Sequence, residues 1–383
     1  MSEFEMQIGK HMLVLSSSQF DPTETLAALI AILSMPDRPL PKYSFWSLRC
    51  RLLSLGSVMQ RREFITFLGV AAVACPLGAR AQQPNIPMVG FLNGGSPDGY
   101  AVYVTGFQHG LNETGYVEGK NVTVDYRWAR GQYDRLQVLA ADLVRRKVAV
   151  IATNTPTAPV AKAATTEIPI VFVSTGDPVT GGLVTSFNRP GGNVTGVGLL
   201  GPELETKRLE LLDQLVPGTK PLSVLVNPMN PAADLQLRKL QEAAGVIKRQ
   251  INIVRASTAI EIETAFEIAA QKGADGLLVV QDPFYNSRRD QIVTLAARHK
   301  RPVVYPLREF AEIGGLVSYG HDLVDGYRQM GVYAGRILKG EKPADLPVVQ
   351  PTKFEFVINL KTAKTLGLTI PPSLLTTADD VIE

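Results

Sequence analysis

The sequence predicts an α/β protein of two similar lobes, each built on a parallel sheet. Three observations carry that expectation. First, Ile168 to Val173 is a continuous apolar, mostly β-branched run, as suits a parallel strand covered on both faces. It ends abruptly at Ser174-Thr-Gly-Asp-Pro178, where turn-forming and polar residues crowd together. Second, Pro169 and Gly181 are twelve residues apart, as are Pro302 and Gly314 in a similar stretch further on. Third, Pro87-Met-Val-Gly-Phe-Leu-Asn93 and Pro221-Leu-Ser-Val-Leu-Val-Asn227 each place Asn six residues after Pro. Pro-apolar runs are common singly, but two in-step pairs favour a duplicated lobe. In open α/β sheets ligands sit beyond the carboxyl ends of strands, so the strand ends of the two lobes are expected to face a shared cleft.

A chain of 383 residues with 45% apolar content has room for two cores. A formal charge of +3 is too small for a nucleic-acid surface. The basic clusters Arg145-Arg-Lys147 and Arg298-His-Lys-Arg301 fall at predicted helix ends, where cations complement the dipole. Cys50 and Cys75 are the only cysteines, and both precede the expected mature domain. Disulfide, thiol-nucleophile and cysteine-metal chemistry are therefore not expected there.

Residues 1–58 show no sustained period and read as an upstream extension that is untranslated or disordered. From Met59, Arg61-Arg62 precede an apolar run from Phe64 to Ala74, and Ala79-Arg-Ala81 follows. Basic region, short apolar run and A-x-A in that order predict an export signal over 59–81 of twin-arginine type, cleaved after Ala81. The run is too short for a stable membrane span. Cys75 is a poor lipidation site.

In the first lobe, strands are expected at Met88–Leu92, Val122–Trp128 (alternating, hence an edge), Val148–Ala152 and Ile168–Val173. Helices are expected after the Asn93–Gly99 loop to about Asn112, over Leu136–Val144 and over Ala158–Ala164. The loop Asn93-Gly-Gly-Ser-Pro-Asp-Gly99 lacks the dinucleotide glycine pattern. The second lobe opens with a helix burying Leu204, Leu211, Leu212 and Leu215, then places strands at Ser223–Val226, Ile251–Val254, Leu277–Val280 and Val303–Val304. Thr258-x-x-Glu261 reads as a capping box and Gly273 as a helix-terminating glycine. Ser287 is expected to cap the helix that follows it. Leu316–Tyr319 is expected to cross back to the first lobe, where Tyr327, Met330, Ala334 and Ile337 pack. Phe354, Phe356 and Ile358 form a last strand, followed by a helix to Leu366. The expected boundaries are 84–195 plus 320–383 for lobe 1 and 196–319 for lobe 2. Three crossings, at Val194–Val197, Ser318–Gly320 and about Leu346–Pro351, would form a multi-segment hinge.

The chain carries Arg61-Arg-Glu-Phe-Ile65, Gly115-Tyr-Val-Glu-Gly119, Asn188-Arg-Pro-Gly-Gly-Asn-Val-Thr-Gly196, Asp282-Pro-Phe284, Arg308-Glu-Phe310, Ser318-Tyr-Gly320 and Val357-Ile-Asn-Leu-Lys-Thr-Ala-Lys364. With these segments it resembles the periplasmic substrate-binding proteins of ABC transporters, in the family that includes tryptophan-binding members, from Met59 to Glu383. Thr153-Asn-Thr155 departs from the glycine pair of that family. The resemblance implies a type I periplasmic-binding-protein fold of two Rossmann-like lobes closing on a small solute. It also implies ABC permease subunits as partners, no cofactor and no catalysis.

Candidate ligand-binding residues are those that end strands: Ser96, Thr153, Asn154, Thr155, Ser174, Thr175 and Asp177 in the first lobe, and Asn227, Asp282, Phe284 and Tyr305 in the second. Hydroxyls and loop amides would suit a carboxylate, Asp177 or Asp282 an ammonium, and Phe284 or Tyr305 a flat apolar group. Each has a structural alternative, since Asp and Asn before Pro hold turns and aromatics fill cores. An enzyme reading finds no nucleophile motif beside His109, His299 or His321. A sensor or repressor reading finds no DNA-binding module. A monomer that neither binds nucleic acid nor spans the membrane completes the expectation.

Overall fold

A computed structural model describes residues 4–8, 11–15, 86–199, 201–351 and 354–383. Within 1–58, Phe4–Ile8 (β1) pairs antiparallel with His11–Leu15 (β2). Phe4, Met6 and Ile8 alternate with Glu5 and Gln7, a strand period that the reading of this segment overlooked. The expected export signal, its cleavage point and both cysteines lie outside the described residues.

Lobe 1 is a five-stranded sheet in the order β4-β3-β5-β6-β7, parallel throughout. Its strands are β3 (Met88–Asn93), β4 (Thr123–Trp128), β5 (Val150–Asn154), β6 (Ile170–Ser174) and β7 (Val194–Gly198). β4 lies at the edge, as its alternation predicts. β6 is buried along its whole length. Val171 and Val173 join one apolar cluster while Ile170 and Phe172 join another, so alternate side chains serve opposite faces of the sheet. α2 (Leu136–Arg145) and α3 (Thr157–Ala164) cover the second face. α1 (Pro97–Glu113) and the late helix α10 (Leu323–Leu338) cover the first. These two helices touch through glycines: a β-carbon on Gly110 would run into the Arg328 carbonyl, and one on Gly331 into the Phe107 carbonyl.

Lobe 2 is a seven-stranded sheet in the order β14-β13-β12-β11-β10-β8-β9. Its strands are β8 (Leu222–Val226), β9 (Ile251–Arg255), β10 (Leu277–Val279), β11 (Val303–Tyr305), β12 (Val317–His321), β13 (Phe354–Asn359) and β14 (Asp380–Ile382). Only β13 runs antiparallel to its neighbour β12. Helices α4 (Gly201–Leu215), α5 (Ala233–Val246), α6 (Ala259–Gln271), α7 (Pro283–Ser287), α8 (Arg289–Arg298), α9 (Arg308–Glu312), α11 (Leu360–Leu366) and α12 (Pro372–Thr377) complete it. The expected cap on α6 forms: the Thr258 hydroxyl accepts from Glu261 N at 3.2 Å, and the Glu261 carboxylate accepts from Ser257 N. Gly273 follows that helix at φ 65°. Ser287 instead ends α7, and α8 begins after Arg288 without a side-chain cap.

The assignment of 320–383 to lobe 1 is corrected by the sheet order. α10 does pack on lobe 1, but β13 and β14 extend the sheet of lobe 2, where Phe356 and Ile358 are buried. A chain that visits lobe 1 for one helix and then returns leaves no sign in composition; only the partner strand reveals it. The three crossings are present, each displaced toward the C-terminus. Val194–Gly198 pairs with β6 inside lobe 1, and the chain crosses after Leu199. Ser318–Gly320 lies inside the lobe 2 sheet, and the crossing comes at Asp322, which caps α10 by accepting from Asp325 N at 2.9 Å. Leu346 and Val349 lie against β7, where Thr195 Oγ1 donates to the Leu346 carbonyl and Val349 N to that of Gly196. The chain then returns to β13.

Candidate functional site

The carboxyl ends of β3, β5 and β6 in lobe 1 oppose the loops after β8 and β10 in lobe 2. Between them lies a narrow, nearly closed cleft, with about 20 Å³ open to the centre of a water molecule. Lobe 1 lines it with Tyr100, Asn154, Thr155, Val173 and Thr175, together with Leu323 and Tyr327 from α10. Lobe 2 contributes Asn230, Gln281, Pro283 and Asn286. Tyr100 and Tyr327 are buried with ring centroids 6.1 Å apart, edge to face, a favourable aromatic geometry. Burial pushes both phenols above their ordinary range, so each keeps its proton and remains a hydrogen-bond donor.

The lobes are in contact across this cleft. The Tyr133 hydroxyl of lobe 1 donates to both oxygens of the Asp282 carboxylate, at 3.1 Å each. Ser96 N donates to Ser287 Oγ at 3.0 Å, and Arg289 Nη1 to the Gly99 carbonyl at 2.9 Å. Asn286 Nδ2 reaches the Tyr100 hydroxyl at 3.4 Å. Phe284 packs on Gly131, whose φ of 80° suits glycine and where a β-carbon would stand 2.7 Å from the ring.

Of the residues expected from the sequence, Asn154, Thr155 and Thr175 line the cleft. Thr155 Oγ1 donates to Ser174 Oγ at 2.9 Å and accepts from Thr175 N, so Ser174 supports the wall from behind. Thr153 is buried and hydrogen-bonds through its hydroxyl to Thr157. Ser96 and Phe284 take part in the contact between lobes. Asp177 is exposed, and its Oδ1 accepts from Val179 N at 2.8 Å, the bond of a turn. Tyr305 is buried in the core of lobe 2, stacked on Phe310 at 5.0 Å.

Asp282 does not line the cleft. It is fully buried and caps α7, accepting from Phe284 N at 2.8 Å, from Asn227 Nδ2 at 3.1 Å and from Asn230 Nδ2 at 2.8 Å, besides Tyr133. Burial raises its pKa, while the donors from Asn227, Asn230, Phe284 and Tyr133 oppose the rise. Its oxygens have their partners. Behind this loop, Glu205 Oε1 accepts from Gln281 N at 3.1 Å and pairs with Arg208 at 3.0 Å. Arg208 in turn donates to the carbonyls of Tyr319 and Pro306. That buried pair ties one cleft wall to the strand that leads into the hinge.

The sequence reading missed Tyr100, Tyr327, Asn230, Gln281 and Asn286. Gln281 and Asn230 stand one and three residues from expected positions, in the same strand-end loops. The tyrosines carry an ordinary helical core period, and nothing in it tells a cleft wall from a core. Among the described residues, no cluster of His, Cys, Asp or Glu could hold a metal ion, and no helix is long and apolar enough to cross a membrane.

The family model described as "ABC transporter substrate binding protein" matches residues 89–382. The chain belongs to the family of ABC transporter substrate-binding proteins. Members of this family are extracytoplasmic, take a small-molecule ligand and work with ABC permease subunits. A tyrosine-binding protein of Clostridioides difficile (strain R20291) is 30% identical over 269 residues, covering 69% of this chain and 76% of that protein. A structure from Streptococcus pneumonia in complex with L-Trp is 28% identical with a TM-score of 0.69, covering 77% of this chain and 99% of that one. A ligand-free, open substrate-binding protein from Clostridium difficile is 25% identical with a TM-score of 0.53, covering 78% and 99%.

Proposed function

We propose that this substrate-binding protein captures a small organic solute, amino-acid-like or aromatic, between its lobes and delivers it to an ABC importer without transforming it. The observation that carries this reading is the cleft itself, with polar side chains from both lobes set against Tyr100 and Tyr327. A solute that contacts both lobes binds the closed form better than the open one, and that difference is what drives closure. The relatives named for tyrosine and L-Trp support an aromatic group. Native mass spectrometry of protein purified without refolding tests the reading. A retained small molecule of unaltered mass is expected, and turnover of that molecule by the purified protein would overturn it.

Export belongs to the same proposal. The basic, apolar and A-x-A order over 59–81 supports a twin-arginine signal, periplasmic delivery and a mature chain from Gln82; that the mature chain is a monomer is part of the same proposal. Edman sequencing of the exported protein tests this, and a start within residues 1–58 would sink it.

A further inference from the structure

The bonds that join the lobes gather at α7, and most of them run outside the residues that line the cleft. At the N-terminal end of α7, Asp282 accepts from the Tyr133 hydroxyl and the Phe284 ring lies on Gly131. At its C-terminal end, Ser287 Oγ accepts from Ser96 N at 3.0 Å, and Arg289 Nη1 just beyond donates to the Gly99 carbonyl at 2.9 Å. None of these residues lines the cleft.

Both halves of this contact are built within their own lobes. In lobe 1 the two receiving segments are tied to each other: Arg130 N donates to the Gly95 carbonyl at 2.9 Å and Gly131 N to that of Gly94 at 2.8 Å. In lobe 2, Asp282 caps α7 while Asn227 and Asn230 hold its carboxylate. Ser287 Oγ also donates to the Pro283 carbonyl at 3.0 Å, inside α7. Neither surface has to be ordered at the moment of meeting, which lowers the cost of docking.

Gly99 shows that lobe 1 is shaped for this contact. It is buried in the first turn of α1, where alanine would be favoured over glycine by helix propensity. A β-carbon there would stand 2.4 Å from Ser287 Cα and 2.9 Å from both Ser287 Cβ and Oγ. All three of these atoms belong to lobe 2, and the nearest is backbone that cannot swing aside. The glycine is required by the closed form and not by the helix that carries it.

We infer that α7 is a latch received at Gly99, and that this latch sets how tightly the closed protein holds a solute without choosing which solute it holds. Its bonds run from protein to protein, so they favour closure equally for every solute that permits it. Apparent affinity scales with the fraction of chains able to close. Weakening the latch therefore lowers the affinity for different solutes by one common factor, whereas a change in the cleft wall alters their ratio. The inference rests on the solute-capture reading above and separates strength from selectivity within it.

The test compares the full chain with its Gly99→Ala variant. L-tyrosine and L-tryptophan are titrated into each by calorimetry after bound solute has been removed. Both affinities are expected to fall at least about tenfold, with their ratio kept within about twofold and the solute-free melting temperature not lowered. A changed ratio would place Gly99 in the selective site, and a lowered melting temperature would make it a residue of the lobe 1 fold; either overturns the inference. Hydrogen exchange of both proteins as purified reads the latch whether or not either amino acid binds. Faster exchange at Ser96 and also across residues 283–289 of the other lobe is expected. Unchanged exchange across 283–289 would overturn the latch, while failure of both amino acids to bind the unsubstituted chain would count against the aromatic solute alone.

Discussion

At Asp282 a single carboxylate accepts from donors of both lobes, and its partners differ in what they report. Asn227, Asn230 and Phe284 N belong to lobe 2, so their bonds hold a turn and a helix cap. Tyr133 comes from lobe 1, so its bond exists only while the lobes are together. Tyr133→Phe removes that bond and leaves the carboxylate its three other donors. Its cost is therefore expected near the low end for a hydrogen bond to a charged group, about 1–2 kcal/mol. The loss should appear as about five- to thirtyfold weaker solute binding by titration calorimetry, with little change in melting temperature without solute. An equal loss of stability in the solute-free protein would make the bond a feature of the fold alone. Asp282→Ala is expected to lower both quantities, because it strips a cap and leaves the Asn227 and Asn230 amides without their acceptor. The sequence showed Asp282 at a strand end, but its saturation by Tyr133 could not be read there. Tyr133 lies 149 residues away, and no local pattern links the two.

Among the elements, α10 shows what periodicity reaches and where it stops. Tyr327, Met330, Ala334 and Ile337 announce a buried face, and all four are buried. The contact with α1 depends on something else: Gly110 and Gly331 admit opposing backbone where no side chain fits. Replacing a helical glycine by alanine gains up to about 1 kcal/mol of propensity. At Gly110 the added carbon meets the Arg328 carbonyl, which is backbone and cannot swing away. Overpacking costs about 1–3 kcal/mol, so Gly110→Ala is expected to be destabilising on balance, seen as a lower urea midpoint. An increased midpoint would mean that the helices separate freely. The cap at Thr258 was legible because it is local, with donor and acceptor three residues apart. The return of β13 and β14 to lobe 2 was not, because strand pairing is a long-range choice made by the available sheet edge.

For the whole molecule, two carboxyls buried in this form couple it to pH. Burial raises the pKa of Asp282 and of Glu309, whose carboxyl on α9 faces Tyr103 of lobe 1, with Glu312 raising it further and Arg289 opposing. Both acids hold protons more tightly in this form. Their contribution to it is complete below the ordinary carboxylate range and is lost as pH rises through the raised values. Solute affinity is therefore expected to fall as pH climbs from about 4 toward neutrality, and Glu309→Gln, which stays neutral, should flatten the fall. Affinity that climbs over the same window would contradict this.

The two-lobed architecture was legible because apolar runs ending in turn residues repeat in step, and each run became a buried parallel strand. What joins the lobes resides in side chains that meet only after folding. Small-angle scattering of the full chain, with solute bound and after its removal, tests most directly whether the cleft works by closing. A smaller radius of gyration with solute, each lobe keeping its internal structure, is the expected result. Identical curves at saturating solute would show that the lobes do not close on it, and would contradict capture between them.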